Sequence, residues 1–478
     1  MSVYRLQSAY LPQGWARDVL VTVSPAGMIS AVEPDAPQPQ TPHTAAIERI
    51  EGVVVPGMPN AHSHAFQRAM AGNAEFRLTA RDSFWTWRQA MYTLANRIEP
   101  QDLQIVATQL FVEMLKSGYT SVAEFHYLHR PRGAALPSGT AAPNGPAQYS
   151  VSNPLWDAVD GAARAAGIGL TFLPTLYQSS DFGGQPLKPE QARFFLDTDE
   201  FLRAIEARIG AARGAGGIRG RTGAAFHSLR AVPLDHLRRA ALALRSIDAG
   251  MPVHIHVAEQ MLEVQACDRA TGRRPIELLL DQGLLTPHWC VVHATHATAE
   301  ELSGIAAAGA VVCVSISTEA NLGDGSFDAV RFLRMDGKLC VGSDSQSTVS
   351  PAEELRWLEY QQRLRKKRRG VLADRNESHV GTRLWRDAAL HGAQALGQPV
   401  GSIAVGCRAD WLVLDASHPA MAGAGDDAAL DRLLFAGADR AIRDVMVAGN
   451  WVIKDHRHAA DEQLRADFSR VMRNLRAD

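Results

Sequence analysis

The sequence has 478 residues, of which 51 are acidic and 49 are basic, so its formal net charge is −2. A chain of this length can bury a large core, and it predicts one domain of about 250 residues or more beside a smaller one. The balanced charge argues against nucleic acid or an anionic membrane as a partner. The lack of a signal-peptide pattern and of about 18 consecutive apolar residues predicts a soluble, cytoplasmic protein that acts on a small molecule.

Two different patterns divide the chain. Residues 1–50 contain short strand-like segments separated by Pro and Gly, which predict a small β unit. From residue 53 onward, apolar strands alternate with segments of helical period, as in a parallel sheet built from βα units. We count eight candidate strands, at residues 52–56, 120–125, 169–176, 224–229, 252–257, 289–293, 310–315 and 338–342. Eight repeats favour a closed (β/α)8 TIM-like barrel of class α/β, although the spacing also allows an open doubly wound sheet.

Ionisable residues stand at the ends of five of these strands. They are His62 and His64 after the first, His227 near the end of the fourth, His256 and Glu259 at the end of the fifth, His293 at the end of the sixth and Asp344 after the eighth. The carboxyl ends of barrel strands are where enzymes of this fold assemble their active sites. Burying such groups separately and unpaired would be costly, so we expect them to form one site.

The chemistry of this set predicts a metal centre. His62, His64, His256 and Asp344 offer three neutral nitrogens and one carboxylate, which suit Zn²⁺ or Fe²⁺. A bound ion of this kind lowers the pKa of water towards neutrality. We expect Glu259 to protonate a leaving nitrogen, His293 to orient the attacking water and Asp344 also to accept its proton. No lysine stands between Lys188 and Lys338 to bridge two ions, which favours a single one.

Several other segments carry weaker signals. The five cysteines are scattered without a CxxC pair and predict reduced core residues, and His254 is expected to be a buried, hydrogen-bonded residue. Residues 131–153, rich in Pro, Gly, Ala and Ser, predict an exposed loop. The basic run at 363–369 follows three glutamates and predicts a solvated helix or an interface, and residues 462–475 predict a terminal helix.

The motifs together resemble the amidohydrolase superfamily, in its mononuclear deaminase branch. The resemblance is carried by Pro56-Gly57 leading to His62-X-His64, by His256-X-X-Glu259, by His293 and by the turn at 342–344. Residues 401–415 resemble the segment that returns to join the N-terminal strands in a small β-sandwich. The resemblance implies a sandwich from residues 1–52 and 396–478, the latter with a terminal helix. It also implies a metal-dependent barrel at 53–395, one divalent ion, with zinc expected first, and a homodimer.

Within this branch, residues 59–68 and 226–230 are most similar to enzymes of histidine degradation that hydrolyse N-formimino-L-glutamate to N-formyl-L-glutamate and ammonia. A dicarboxylate substrate needs fixed cations, and arginine binds carboxylates in bidentate fashion. The resemblance places Arg88, His227 and Arg230 in this role, with Gln67 and Tyr127 as further contacts. Two alternatives stay open: deamination of another amidine or of a nucleobase (guanine, cytosine or adenosine type) at the same metal site, and a catalytically silent scaffold of the same fold.

Overall fold

The computed structural model describes residues 1–37, 47–73, 75, 84–136, 153–215, 220–423 and 425–476. Numbered along the chain, the strands in these ranges are β1 (Ser2–Leu11), β2 (Gly14–Val23), β3 (Ile29–Glu33), β4 (Ile47–Pro56), β5 (Met58–Ser63), β6 (Tyr119–His126), β7 (Gly169–Leu176), β8 (Gly220–Thr222), β9 (Ala224–Phe226), β10 (Val253–Val257), β11 (Trp289–His293), β12 (Val311–Val314), β13 (Lys338–Val341), β14 (Trp411–Leu414), β15 (Ile442–Val447) and β16 (Asn450–Ile453). The α-helices are α1 (Phe84–Arg97), α2 (Pro100–Ser117), α3 (Pro154–Ala166), α4 (Thr198–Ala215), α5 (Leu234–Ile247), α6 (Met261–Thr271), α7 (Pro275–Asp281), α8 (Ala299–Ala307), α9 (Ile316–Leu322), α10 (Ala329–Arg334), α11 (Pro351–Lys366), α12 (Val380–Leu396), α13 (Ala429–Phe435) and α14 (Asp461–Arg476). Short 3₁₀ helices lie at Ala65–Met70, Pro189–Phe194, Asp426–Ala428 and Ala438–Ala441.

Local sequence signals set the ends of several helices. α2 starts with Pro100, whose missing N–H is no loss at a first helical position, and it ends at Gly118, which adopts the left-handed φ of 110°. α8 begins with a capping box: the Thr298 hydroxyl accepts the Glu301 N–H, and the Glu301 carboxylate accepts the Thr298 N–H. Gly118 thus lets the chain pass from α2 directly into β6, and the capping box starts α8 after the loop that follows β11 and His293.

The larger sheet is parallel and closes almost completely into a barrel. Its strands follow the order β13-β12-β11-β10-β9-β7-β6-β5, with β8 also paired to β7. The strand residues are nearly all buried, because one face fills the barrel and helices cover the other. The seam between β5 and the end of β13 is bridged at Ser63 and Asp344, and the N–H groups of Ser343 and Asp344 both donate to the His62 carbonyl at 3.0 Å. The predicted (β/α)8 barrel is confirmed, and the open sheet is not what forms.

The predicted first barrel strand, residues 52–56, was assigned to the wrong sheet. It belongs to β4, which pairs in parallel with β1 and antiparallel with β14, and the barrel begins only with β5. An apolar, β-branched run predicts a buried strand but does not say which neighbours it pairs with. Gly57 lies between the two strands, and a Cβ at this position would lie 2.3 Å from Thr120 Cγ2. Glycine therefore allows the backbone to run close to the Thr120 side chain. The other seven predicted strands match β6, β7 and β9 to β13 to within three residues.

The smaller sheet is mixed and joins the two ends of the chain. Its strand order is β16-β15-β14-β4-β1-β2-β3, and it encloses a separate apolar core that includes Leu6, Val21, Trp411 and Met446. The predicted β unit made from both termini is confirmed. The division into residues 1–52, 53–395 and 396–478 stays a prediction, and the pairing of β4 favours a first boundary after Pro56.

The end of α12 covers the amino-terminal ends of the barrel strands. Its last carbonyls accept hydrogen bonds from Thr171 Oγ1 and His254 Nε2 on two barrel strands. The C-terminal helix α14 is tied to α2 by an ion pair between Lys116 and Asp461, with Nζ 2.6 Å from Oδ1. The predicted C-terminal helix is thus present as α14.

Two remaining predictions concern surface segments. The predicted loop at 131–153 lies mostly outside the described residues, which resume at 153. The basic run at 363–369 forms the exposed end of α11 and the turn that follows it. Among the described residues, no helix combines the length and apolar character needed to span a membrane.

Candidate active site

The four predicted metal ligands, His62, His64, His256 and Asp344, lie together at the carboxyl end of the barrel. All four are buried, and their ligand atoms lie within 4.8 Å of one another. His256 Nε2 is 2.9 Å from His62 Nε2 and 3.3 Å from His64 Nε2, while Asp344 Oδ1 is 3.4 Å from both of those nitrogens. A Cβ on Gly342 would lie 2.7 Å from His62 Cβ, so a glycine here lets the barrel seam bring His62 beside Asp344.

The hydrogen bonds around these rings leave acceptor atoms facing one another. His64 Nδ1 donates to the Phe125 carbonyl at 2.8 Å, and His256 Nδ1 donates to the His227 carbonyl at 2.9 Å. Burial lowers the pKa of His64 to about 3 and that of His256 well below its usual value, so both rings are neutral and each Nε2 carries a lone pair. Lone pairs and a carboxylate that converge in a buried space repel one another unless a cation lies between them, so this donor set fits a divalent metal ion.

His293 and Glu259 form a second group beside the ligands. His293 Nε2 lies 3.6 Å from Glu259 Oε1 and 3.7 Å from Asp344 Oδ2, and Nδ1 on the other edge of the ring donates to Glu319 Oε1 at 3.3 Å. Burial alone would lower the pKa of His293, but Glu259, Glu319 and Asp344 raise it to about 10. Burial raises the pKa of Glu259 to about 7, against the effect of His293. The site therefore pairs a cationic imidazole with a carboxyl group that can exchange a proton near neutral pH.

The loops that carry these residues are held in an unusual backbone conformation. Ala258, His293 and Asp344 have positive φ values of 52°, 71° and 45°, although none of them is glycine. Residues outside glycine adopt this region rarely, at a cost of order 1–3 kcal/mol each, and such residues cluster at functional sites. The three lie at the ends of β10, β11 and β13, where the predicted catalytic side chains leave the barrel.

A cavity lies directly over the cluster, and His64, His256 and Asp344 form part of its lining. Its walls include the five predicted substrate contacts, namely Gln67, Arg88, Tyr127, His227 and Arg230. Trp87, Met91 and Leu322 add apolar surface to the same walls. The structure therefore gathers the residues that the sequence proposed for catalysis, metal binding and substrate binding around one cavity, except His62, which contacts the lining residues His64, His256 and Asp344 from within the buried cluster.

The two arginines of this cavity are fixed near a buried tyrosine. Arg88 Nη2 donates to the Tyr177 hydroxyl at 3.3 Å, and Arg230 Nη1 donates to the Ser180 carbonyl at 3.4 Å. Burial would raise the pKa of Tyr177, yet the positive charges of Arg230 and Arg88 lower it. A concentrated positive charge in a partly apolar cavity is suited to an anionic ligand.

Gln67 and Tyr127, in contrast to the charged arginines, form a contact between neutral groups. Gln67 Nε2 donates to the Tyr127 hydroxyl at 2.8 Å, whereas the Gln67 Oε1 atom is buried and has no hydrogen-bond partner in the structure. An unpaired acceptor at the cavity wall can receive a hydrogen bond from a ligand.

Sequence reasoning missed four residues that support the site. Glu124 accepts the Ala65 N–H at 2.6 Å and the Ser63 hydroxyl at 2.7 Å, and so holds the segment that carries His64. The others are Glu319 behind His293, Glu263, which accepts the N–H groups of Ala258 and Glu259, and Tyr177. Glu124 alone carried a usable signal, as a carboxylate inside an apolar strand. The rest stand in helices or loops, where a polar residue is ordinary.

The chain belongs to the Amidohydrolase family, whose model matches residues 53–452. It is 47% identical over 475 residues to formimidoylglutamate deiminase of Pseudomonas aeruginosa, covering 99% of this chain and 100% of that protein. It is 27% identical over 427 residues to 8-oxoguanine deaminase of the same species, covering 87% and 86% of the two chains. The crystal structure of an amidohydrolase from Brucella melitensis superposes with a TM-score of 0.89 at 38% identity over the full length of both chains.

Proposed function

We propose that this chain hydrolyses N-formimino-L-glutamate to N-formyl-L-glutamate and ammonia, a reaction of histidine degradation. The observation that carries the proposal is the placement of Arg88 and Arg230 in the same cavity as the cluster of facing acceptors. The substrate has a formimino group to be hydrolysed and two carboxylates to be held. The relative of 47% identity is named for this substrate.

One divalent ion, which we propose to be Zn²⁺, would be held by His62, His64, His256 and Asp344. When bound, such an ion lowers the pKa of a water molecule and makes hydroxide available at neutral pH. The Nδ1 hydrogen bonds of His64 and His256 to backbone carbonyls fix the tautomer and the ring orientation that this role needs.

The remaining steps fall to side chains of the chain itself. We propose that Asp344 accepts a proton from the attacking water and that the cationic His293, held between Glu259 and Glu319, donates to the attacking oxygen. A C–O bond forms at the formimino carbon as its C=N double bond becomes single. Asp344 and Glu259 pass the two protons of the water to the terminal nitrogen, the C–O bond becomes the formyl C=O, and the C–N bond breaks as ammonia leaves. The pKa of about 7 suits Glu259 for taking up and giving back one proton in each turnover.

Other residues of the cavity hold the part of the substrate that lies away from the reacting carbon. We propose that Arg88 and Arg230 bind the two carboxylates, with His227 beside them, and that Gln67 and Tyr127 contact the formimino end through hydrogen bonds. Charge-assisted bonds to arginine give both affinity and a fixed orientation, so the formimino carbon can be directed at His293 and Glu259.

The experiment is ammonia release by the purified protein from N-formimino-L-glutamate, with guanine, cytosine and adenosine assayed in parallel and the metal content measured. We expect release from N-formimino-L-glutamate alone, its loss after chelation and its return on addition of Zn²⁺. Release from a nucleobase alone would keep the metal site and overturn the substrate. No release from any of them by a metal-loaded sample would favour a scaffold function.

Two further properties belong to the same proposal. The homodimer and the cytoplasmic location stay predictions. Light scattering on the purified protein and fractionation of the producing cells would test them.

A further inference from the structure

A second group of metal-binding side chains lies inside the barrel, beneath the catalytic cluster. It consists of His254 on β10, Cys290 on β11, Cys313 on β12 and Cys340 on β13. The four strands are consecutive in the sheet, and the register pairs His254 with Cys290 and Cys313 with Cys340. His254 precedes the ligand His256 by two residues, so both side chains point to the same face of the strand. Three of the five cysteines of the chain are thus collected in one place.

The three thiols are close enough to share one ion. Their Sγ atoms all lie within 4.8 Å of one another, and each of the three cysteines has an exposed fraction of 0%. In a tetrahedral zinc site, with Zn–S bonds of about 2.3 Å, two sulfur ligands stand roughly 3.8 Å apart. The cluster therefore needs only small side-chain rotations to reach that geometry.

The imidazole of His254 supplies a fourth donor whose tautomer is fixed. Its Nε2 atom lies 2.8 Å from the carbonyl of Ala395, one of the last carbonyls of α12, and because a carbonyl only accepts, Nε2 must carry the hydrogen. In the neutral ring, Nδ1 then carries a lone pair. That atom is fully buried and faces the thiol of Cys290, which pairs with His254 across the two strands. The arrangement repeats what is seen at His64 and His256, where a backbone carbonyl fixes one nitrogen and leaves the other for a metal.

We propose that Cys290, Cys313, Cys340 and His254 form a second, structural metal site that holds one zinc ion. A set of three sulfurs and one nitrogen is typical of closed tetrahedral zinc sites, which leave no position for water or substrate. The ion would tie together four neighbouring strands just below the loops that carry His256, His293 and Asp344. It would therefore stabilise the barrel without entering the reaction.

The first test is the zinc content of the full-length protein, purified without chelators from zinc-supplemented cells. We expect two zinc ions per chain in the wild type, one in Cys313→Ser and one in His64→Ala, because these variants empty different sites. Cys267→Ser removes a buried thiol outside the cluster and should keep both ions. One zinc ion per chain in the wild type and in Cys313→Ser alike would overturn the proposal.

The second test identifies thiolate ligands of the metal by absorption spectroscopy and does not require a cysteine variant that folds. Protein produced with Co²⁺ in place of zinc should show thiolate-to-cobalt charge-transfer absorption, and His64→Ala should retain it. Cobalt-loaded wild type without that band would contradict the site even if Cys313→Ser failed to fold. Ammonia release is measured separately, so failure of this inference leaves the proposed function intact, and the reverse also holds.

Discussion

Two buried polar clusters in this molecule differ in how their atoms are paired. Just before β14 of the smaller sheet, Arg408 and Asp410 have exposed fractions of only 1% each, and their hydrogen bonds join donors to acceptors. The Arg408 guanidinium reaches Asp410 Oδ1 at 2.9 Å from Nε and Oδ2 at 2.6 Å from Nη2, and a third bond runs to Gln398 Oε1. At the end of the barrel, His62, His64 and His256 instead present acceptors to one another.

The difference separates a structural cluster from a functional one. A buried ion pair with complete hydrogen bonding satisfies itself and needs no ligand, and its role is to hold the segments it joins. A buried cluster whose lone pairs converge is left unsatisfied by the protein alone, so it marks the place where something else binds. The pairing of atoms, more than the presence of charge, thus indicates which buried residues act on a substrate. Substitutions in the two clusters should accordingly affect different properties.

The largest effect is expected from Glu259→Gln in the functional cluster. The amide keeps the size of the side chain but cannot carry the proton, so kcat should fall by about 10²- to 10⁴-fold. Circular dichroism and the free energy of unfolding should stay near the wild-type values, because Glu319 and Asp344 still accompany His293 when the Glu259 carboxylate is replaced. The exposed Glu206→Gln serves as the control and should retain full activity. A near-normal kcat in Glu259→Gln would remove this residue from the proton transfer.

The reverse pattern is expected from Asp410→Asn in the structural cluster. Removing one charge leaves Arg408 buried without its counter-ion, which should lower the free energy of unfolding by about 3–5 kcal/mol. Denaturant unfolding measures this loss, and kcat/KM per folded molecule should change little. The matched control is Asp199→Asn, which breaks an exposed pair with Arg239 and should cost about 0–1 kcal/mol. Equal stability of the two variants would show that the buried pair is not structural.

A smaller effect, confined to binding, is expected from Arg230→Met. Hydrogen bonds to charged groups contribute about 1.5–3 kcal/mol, so KM for N-formimino-L-glutamate should rise roughly 10- to 100-fold with a smaller change in kcat. Steady-state ammonia release measures both constants. Arg239→Met removes an exposed arginine of similar shape and should leave KM as it is. An unchanged KM in Arg230→Met would argue against the proposed carboxylate contact.

The smallest effect concerns pH and the carboxyl group of Glu354, which is buried and accepts hydrogen bonds from the N–H and the hydroxyl of Ser317. Burial raises the pKa of Glu354 from the ordinary 4.5 to about 8. Between pH 4.5 and about 8, the folded state therefore binds more protons than the unfolded state. The contribution of the protonated Glu354 carboxyl to the free energy of unfolding is full below this window and is lost as the pH rises through it. Glu354→Gln should reduce this fall in Tm, measured by thermal unfolding across the window. If Tm of Glu354→Gln fell with pH as much as Tm of the wild type, the raised pKa of Glu354 would be contradicted.

Local pattern and motif chemistry predicted much of what the structure shows. The alternation of apolar strands and amphipathic helices predicted the barrel, because buried parallel strands require such sequences wherever they occur. The positions of His62, His256 and Asp344 at strand ends predicted that they would meet, since the carboxyl ends of parallel strands share one edge. Arg88 could be selected only through the family resemblance, because an arginine on a helix has no local signal of its own.

The sequence by itself therefore determined the fold class, the four residues of the buried His/His/His/Asp cluster and the end of the barrel at which they lie. Only the tertiary structure decided that residues 52–56 pair with β1 and β14, that Glu319 stands behind His293, and that His254 pairs with Cys290 of a three-cysteine cluster. The physical reason is that periodicity reports whether a residue is buried, whereas pairing depends on the register between segments far apart in the chain. The tautomer of each histidine likewise depends on a carbonyl from another element, which no local pattern can specify.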